Sequence, residues 1–375
     1  MNVDAIIIGA GAMGMAAGYY LAKQNQKVVL IDPHDPPHTQ GSHHGETRLI
    51  RHAYGEGENY VPMALRAQKL WVELERESKR KVFHQTGVLN FGTPDSAFLK
   101  NVRRSVEVHS LPADFLTAQE VNERWPGFQL SEELIACYEP NSGILMSEEA
   151  IRAYRELAEK HGAELLVNTR LQEIIAADNG ITITTDNQTV TGRKLIITAG
   201  RGTNTVLKLL GQQLPLQPMR TNVSWFQADA ELHSPSIFPA WAYDDGETGF
   251  YGFPDIDGAG LKIGDHNAGV PMSPEEALTP FGTEPEDGQH VSGFLRTHMG
   301  LEPVQRKGQT CIYTNSPDED FIIDHLPEHR NIIVACGFSG HGFKFASAVG
   351  EILSDLAIRG KTEANIAGFT ISRFK

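Results

Sequence analysis

The segment Ser42-His43-His44-Gly45-Glu46-Thr47-Arg48-Leu49-Ile50-Arg51-His52-Ala53-Tyr54 gathers three histidines and two arginines. His44, Arg48 and Arg51 recur at i, i+4 and i+7, so on a helix they would share one face. Cations that close repel one another unless an anion lies opposite them. A carboxylate suits the arginines, whose planar fork binds both of its oxygens. The alternative is a solvated basic face paired with acids elsewhere. The position of the cluster, directly after a nucleotide-type strand, favours a site. Metal binding by His43 and His44 is disfavoured, because adjacent residues point to different sides of a helix.

A second group lies near the C-terminus, in Gly337-Phe338-Ser339-Gly340-His341-Gly342-Phe343-Lys344-Phe345. Its glycines follow a strand and precede a helix, where backbone can approach a ligand closely. Lys344 falls in the first helical turn, which the helix dipole makes unfavourable for a cation. A bound anion or a surface salt bridge would compensate. Lys262 stands between Leu261 and Ile263 on an expected strand and alternates to the face opposite both. It points to solvent or into a site, and periodicity alone favours solvent. Cys311 and Cys336 each read as small buried hydrophobes.

The elements that position these groups begin with Ala5 to Ile8, an apolar run suited to a buried parallel strand. Gly9-Ala10-Gly11-Ala12-Met13-Gly14 follows it and opens a helix over Met15–Gln24, and Asp32 ends the next strand. This is a dinucleotide fingerprint in its proper context. Gly9 permits the tight turn, Gly11 lets backbone amides approach a pyrophosphate, Gly14 allows close helix packing, and Asp32 accepts from ribose hydroxyls. FAD and NAD share the motif. Its place at the start of the chain, with further nucleotide-type elements some 190 residues on, favours FAD. A reduced, anionic flavin then joins carboxylate as a candidate anion for the 43–54 cluster.

Further along, a helix is expected over Tyr60–Lys79 and another over Ser147–His161, the latter with Ser147 as N-cap. Strands are expected at 88–91, 135–138, 164–167, 181–184, 194–198 and 332–335, with a helix from Phe343 to Ile358. Residues 215–320 read as an antiparallel sheet with turns at Asp244-Asp245-Gly246 and Asp257-Gly258. The fold class is α/β plus antiparallel β: a Rossmann-type FAD-binding domain with an inserted mixed-sheet substrate domain. The first would comprise 1–80, 141–214 and 321–375, and the second 81–140 and 215–320.

Composition narrows the partners. The 375 residues are 40% hydrophobic, too apolar for disorder, yet no window approaches the ~18 unbroken apolar residues of a membrane span. Lys and Arg number 33 against 47 Asp and Glu, a net charge of −14 that repels nucleic acid and anionic lipid. Three cysteines without a CxxC pair argue against a disulfide framework or a zinc site. With a strand beginning at the N-terminus instead of a signal peptide, a cytoplasmic location is expected.

GSHHGETRLIRHAYGEG at 41–57, NSGILMSEEAIRAYRELAEKHGA at 141–163, FIIDHLPEH at 321–329 and GFSGHGFKF at 337–345 carry a resemblance over essentially the whole chain. The sequence resembles the monomeric sarcosine oxidase and N-methyltryptophan oxidase family, flavoenzymes with a cysteinyl-linked FAD. The resemblance implies that Cys311 bonds covalently to the flavin and that Lys262 promotes reaction with oxygen, against the readings of both residues made from periodicity and composition. It implies Arg51 and Lys344 as the clamp on the substrate carboxylate, with Tyr313 and Gly340 beside them. His44, Arg48, Tyr251 and His266 become catalytic groups. Gly9, Gly11, Gly14, Asp32, Ser42, Leu171 and Gly342 become cofactor contacts, with no metal. The implied reaction is oxidative demethylation of sarcosine or a similar small N-methyl amino acid by O2 and water, giving formaldehyde, the amino acid and H2O2 from a monomeric enzyme. N-methyltryptophan and the cyclic imino acids proline and pipecolate are the alternative substrates, and a non-catalytic flavin-binding protein is the alternative of a different class. Two positions depart from the family pattern: Gly202 where relatives usually have Trp, and Ala242 where sarcosine oxidases tend to have a larger Met.

Overall fold

The computed structural model describes residues 1–177 and 180–374 and contains two large sheets joined by a small one. In the eight-stranded sheet, strand Asn2–Ile8 lies between Val28–Ile31 and Thr189–Ile197, parallel to both. His329–Cys336 extends the sheet beyond Thr189–Ile197, again in parallel. These strands are apolar throughout because both faces are covered. Ile7, Leu30, Ile196 and Ile333 enter one core. Ile6, Ile8, Val29, Ile31, Leu195 and Ile197 enter the other. Helices Ala12–Lys23, Val61–Ser78, Ser147–Lys160 and Ala346–Arg359 bury their apolar residues in the first of these cores.

Three local expectations are corrected. Strand Leu171–Ala177, absent from the sequence reading, pairs antiparallel with Gly180–Thr185. Only Ile174 of its seven residues is fully buried, so the sheet-edge strand lacks a clean alternation. Ser147 is the first helical residue and not the cap; Met146 takes that position without a side-chain hydrogen bond, and the Ser147 N–H donates to Glu46 O. The segment Phe343–Phe345 is a 3-10 turn that leads into helix Ala346–Arg359.

The cationic cluster gives the largest local difference. Residues Thr47–Ile50 form a strand and not a helix, antiparallel to Gly143–Met146, which also pairs with Phe83–His84. Positive φ angles at Gly45 and Glu46 turn the chain into this strand, so His44, Arg48 and Arg51 do not stack on one helical face.

The nine-stranded sheet is mixed. Within 215–320 every pairing is antiparallel, and Ala240–Asp244 joins Val88–Gly92 in parallel. Its outer face holds Phe91, Trp241, Tyr243, Leu261 and Ile263 against Phe294 and Leu295 of helix Gln289–Met299 and Val121 of helix Ala118–Arg124. Trp241 stacks on Phe294 with ring centroids 4.7 Å apart. Among the described residues no helix is long and apolar enough to cross a membrane.

Candidate active site

Burying one set of alternate residues in that core commits the other set to the opposite face. Register then extends the face across five strands. Ala242 pairs with Tyr251, and Tyr251 with Gly264. Lys262 pairs with both Phe253 and Trp225, and Trp225 with Lys307. Thr221 pairs with Cys311 and Met219 with Tyr313. Residues far apart in the chain thus line one cavity: Tyr251, His266, Cys311 and Tyr313 from this sheet meet His44, Arg48 and Arg51 from the small sheet, and Gly340 and Lys344 from the C-terminal turn.

Lys262 is 2% exposed, so the solvent reading is wrong. Its Nζ donates to Gly45 O at 2.5 Å, Thr47 O at 3.0 Å and Thr47 Oγ1 at 3.1 Å, and lies over the Phe253 and Trp225 rings. Burial, and then the Arg48 charge, push its pKa well below the ordinary lysine value. Arg48 donates to the carbonyls of Thr47, Ser42 and His44, with Nη2 3.9 Å from Cys311 Sγ. Cys311 is buried, but it lines the cavity instead of packing in a core, which corrects its reading as a structural hydrophobe; Cys336 does pack in one. His44 is buried with neither ring nitrogen hydrogen-bonded among the described residues. Burial, with Arg48 and Lys262, lowers its pKa to about 4 and keeps the imidazole neutral.

At the other end, Lys344 Nζ donates to His341 O at 2.8 Å and to the Tyr54 hydroxyl at 3.2 Å. Burial, then Arg51, lower its pKa to about 7, with Glu56 opposing. The Arg51 guanidinium lies over Tyr54 and Phe98, and its Nη2 donates to both carboxylate oxygens of Glu56, at 2.6 and 2.8 Å. Arg51 Nη1 has no partner among the described residues. Burial raises the Glu56 carboxyl, but Arg51 first, then His341 and Lys344, hold it well below the usual range. The Tyr251 and Tyr313 hydroxyls are 3.3 Å apart, and burial raises both phenols. A Cβ at Gly340, where φ is +78°, would lie 2.5 Å from the Tyr313 ring, so only glycine lets the turn pass this closely.

The dinucleotide turn has the geometry an FAD pyrophosphate needs. A Cβ on Gly14 would lie 1.9 Å from Gly9 O, so the helix can sit this close only on glycine. At Gly11 a Cβ would meet only His43 Nδ1, at 3.6 Å, which leaves open space at a helix N-terminus without a side-chain cap. Asp32 accepts from Ala10 N at 2.8 Å and His34 N at 2.9 Å. Burial raises its pKa, but His38 and these two amides outweigh it and keep the carboxylate ionised. Ser42 is exposed beside this region and contributes its carbonyl to Arg48, while Gly342 caps the 3-10 turn that carries Lys344. Leu171 begins its edge strand and packs against the second core of the parallel sheet, away from the cavity.

Sequence reasoning missed several cavity residues. Glu56, Phe98, Asp244 and His341 all line it. His341 accepts or donates at Tyr54 OH, 2.7 Å away, and burial lowers its pKa to about 3. Glu139 lies behind the cavity, accepting from the backbone amides of His52 and Ala53 at 2.7 and 2.8 Å and so fixing the chain just after Arg51. Phe98, Asp244 and Glu139 lie in no motif, whereas Glu56 and His341 lie within the 41–57 and 337–345 segments without having been given a role. The available signals were that Glu56 follows Arg51 within one segment and that His341 precedes Lys344 within the other.

A dinucleotide turn beside a buried, cation-lined cavity is the arrangement of a flavin-dependent oxidoreductase. The chain belongs to that family: the DAO family model, FAD dependent oxidoreductase, matches residues 4–356. It is 48% identical over 375 residues to monomeric sarcosine oxidase of Bacillus sp. (strain B-0618), covering 99% of this chain and 96% of that one. It is 45% identical over 377 residues to N-methyl-L-tryptophan oxidase of Salmonella heidelberg (strain SL476), covering both chains completely. In fold it matches the crystal structure of L-proline dehydrogenase from P. horikoshii, with a TM-score of 0.87 at 24% identity over 100% of this chain and 98% of that one.

Proposed function

We propose that this chain oxidatively demethylates N-methyl amino acids: amine, O2 and water give the demethylated amino acid, formaldehyde and H2O2. The carrying observation is Glu56 on Arg51. Arg51 Nη2 already holds a carboxylate through both of its oxygens, beside Lys344, which supports Arg51 and Lys344 as the groups that bind a substrate carboxylate. In this reading segments 1–80, 141–214 and 321–375 hold FAD through Gly9, Gly11, Gly14, Asp32, Ser42, Leu171 and Gly342, and Cys311 is its covalent attachment point. Segments 81–140 and 215–320 carry the substrate face. The protein works as a cytoplasmic monomer with O2 as acceptor, and its acidic surface disfavours nucleic acid and membrane as partners.

FAD, when bound, accepts the two electrons of the N-methyl C–H bond. The protein orients that bond. Arg51 and Lys344 fix the carboxylate, and Tyr313 and Gly340 shape the wall beside it, so that the amine is held in one pose. The nearby cations, Arg48, Arg51 and Lys344, disfavour a protonated amine, and neutral His44 and His266 add no competing proton donors of high charge. Tyr251 stays a phenol and can donate a hydrogen bond into the cavity. Water hydrolyses the resulting imine to formaldehyde and amine. Lys262, whose Nζ protons point to carbonyl acceptors, supplies the positive charge that stabilises the anion formed when O2 takes an electron.

Ala242 favours a second reading within the class, a substrate bulkier than sarcosine, because a small side chain lines the cavity wall there. A peroxide-coupled panel of sarcosine, N-methylalanine, N-methyltryptophan, proline and pipecolate tests the proposal. Turnover of an N-methyl amino acid is expected, and no peroxide from any of the five would return the non-catalytic flavin-binding alternative.

A further inference from the structure

One acid on the cavity wall has no part in this reaction. On strand Ala240–Asp244, Ala242 and Asp244 share the cavity face, while Trp241 and Tyr243, which alternate with them, pack into the core. Neighbouring strands leave Asp244 unshielded: it pairs with Gly249 on one side and Gly92 on the other. A Cβ on Gly92 would lie 1.8 Å from Asp244 O, so that neighbour can only be glycine. The wall therefore runs from a methyl group at Ala242 to a carboxylate at Asp244 with no side chain on either flanking strand at the acid.

Asp244 Oδ1 accepts from Gly246 N at 2.9 Å. Its Oδ2 has no hydrogen bond, and no lysine, arginine or histidine is within ion-pairing distance among the described residues. The other charges nearby have partners of their own. Arg51 is paired with Glu56 through Nη2 alone, and Asp245 accepts from Tyr243 OH and Thr248. Burial raises the Asp244 carboxyl, and Asp245 and Glu56 raise it further against the opposing Gly246 amide and Arg51 charge, so that a second cation brought to its free oxygen would stabilise the ionised form.

We propose that Asp244 is a subsite for the distal end of the substrate, and that the cavity takes N-methyl amino acids whose side chain passes over Ala242 and ends in a cationic nitrogen. This rests on the demethylation reading above, which places the carboxylate at Arg51 and Lys344. A two-residue step along a strand is about 6.7 Å, roughly the reach of an aminobutyl chain. The substrate class is thus the Nα-methyl derivatives of basic amino acids of lysine or ornithine length.

The test uses the purified holoenzyme with Nα-methyllysine, Nα-methylnorleucine and sarcosine in a peroxide-coupled assay. The lysine derivative should exceed the norleucine derivative in kcat/KM by about tenfold, the range of one hydrogen bond to a charged group. Asp244→Asn should bring that ratio close to one, and Ala242→Met should lower both long substrates relative to sarcosine. Calorimetric binding of 6-aminohexanoate against hexanoate gives the same comparison without turnover, and should show the same preference and its loss in Asp244→Asn. A ratio near one in the native enzyme, or a ratio that survives Asp244→Asn, overturns the subsite while turnover of sarcosine leaves the demethylation reading standing. No peroxide from any of the three overturns both.

Discussion

Lys344 offers a quantitative test of the carboxylate clamp. Its pKa is lowered to about 7 because burial and Arg51 disfavour its charge. A substrate carboxylate placed against Nζ favours the charged form and raises that pKa, so the ligand binds the protonated enzyme preferentially. The sign follows: affinity is fully present below pH 7 and is lost as pH rises above it, by up to about tenfold per unit. Between pH 6.5 and 8.5 the expected weakening is about 25-fold, from the fraction of Lys344 that stays protonated around a pKa of about 7. The ligand must not itself titrate in this window. Methoxyacetate meets that condition, with an ether oxygen where the substrate has its amine. Its Kd is read from the perturbation of the flavin absorbance of the holoenzyme. Lys344→Arg keeps the charge at all these pH values and should flatten the profile, whereas Lys262→Met should preserve the slope. A flat native profile, or a slope that persists in Lys344→Arg, would refute the reasoning.

Three further outcomes are expected. Glu56→Gln removes the carboxylate that competes for Arg51; the pair is partly exposed, so about 1 kcal/mol is at stake and methoxyacetate should bind about fivefold tighter, against the prediction if it binds more weakly. Lys262→Met should slow reoxidation by O2 in stopped flow far more than anaerobic reduction by substrate, and equal slowing of the two would remove its assigned role. Acid-precipitated native protein should stay yellow and Cys311→Ser should release its colour to the supernatant; a colourless native pellet would show that the flavin is not covalently held.

The dinucleotide half of the protein was legible because its information is local. A buried parallel strand must be apolar on both faces, a tight turn against a helix must be glycine, and both requirements fall within the first 32 residues. The edge strand Leu171–Ala177 escaped because a half-wetted strand at a sheet margin carries little pattern. The long runs of family resemblance supplied roles that periodicity could not, and in two cases opposed it: Lys262 reads as solvent-facing and Cys311 as core from their neighbours alone.

The sequence alone determined which residues of each strand share a face, since alternation with period two is a property of the backbone. Lys262 had to lie opposite Leu261 and Ile263, and Ala242 opposite Trp241. Which of those faces was wet, which was core and which was the cavity depended on tertiary structure. Helix Gln289–Met299 packs on one side of the nine-stranded sheet and so consigns Leu261, Ile263 and Trp241 to a core. Register between strands distant in the chain then lines up Tyr251 and Cys311 across the other side. The loop after Gly45 closes over Lys262 from a third sheet. Strand pairing and sheet packing are non-local, so no window of sequence contains them, and only the folded chain places the cations of an acidic protein around a single interior point.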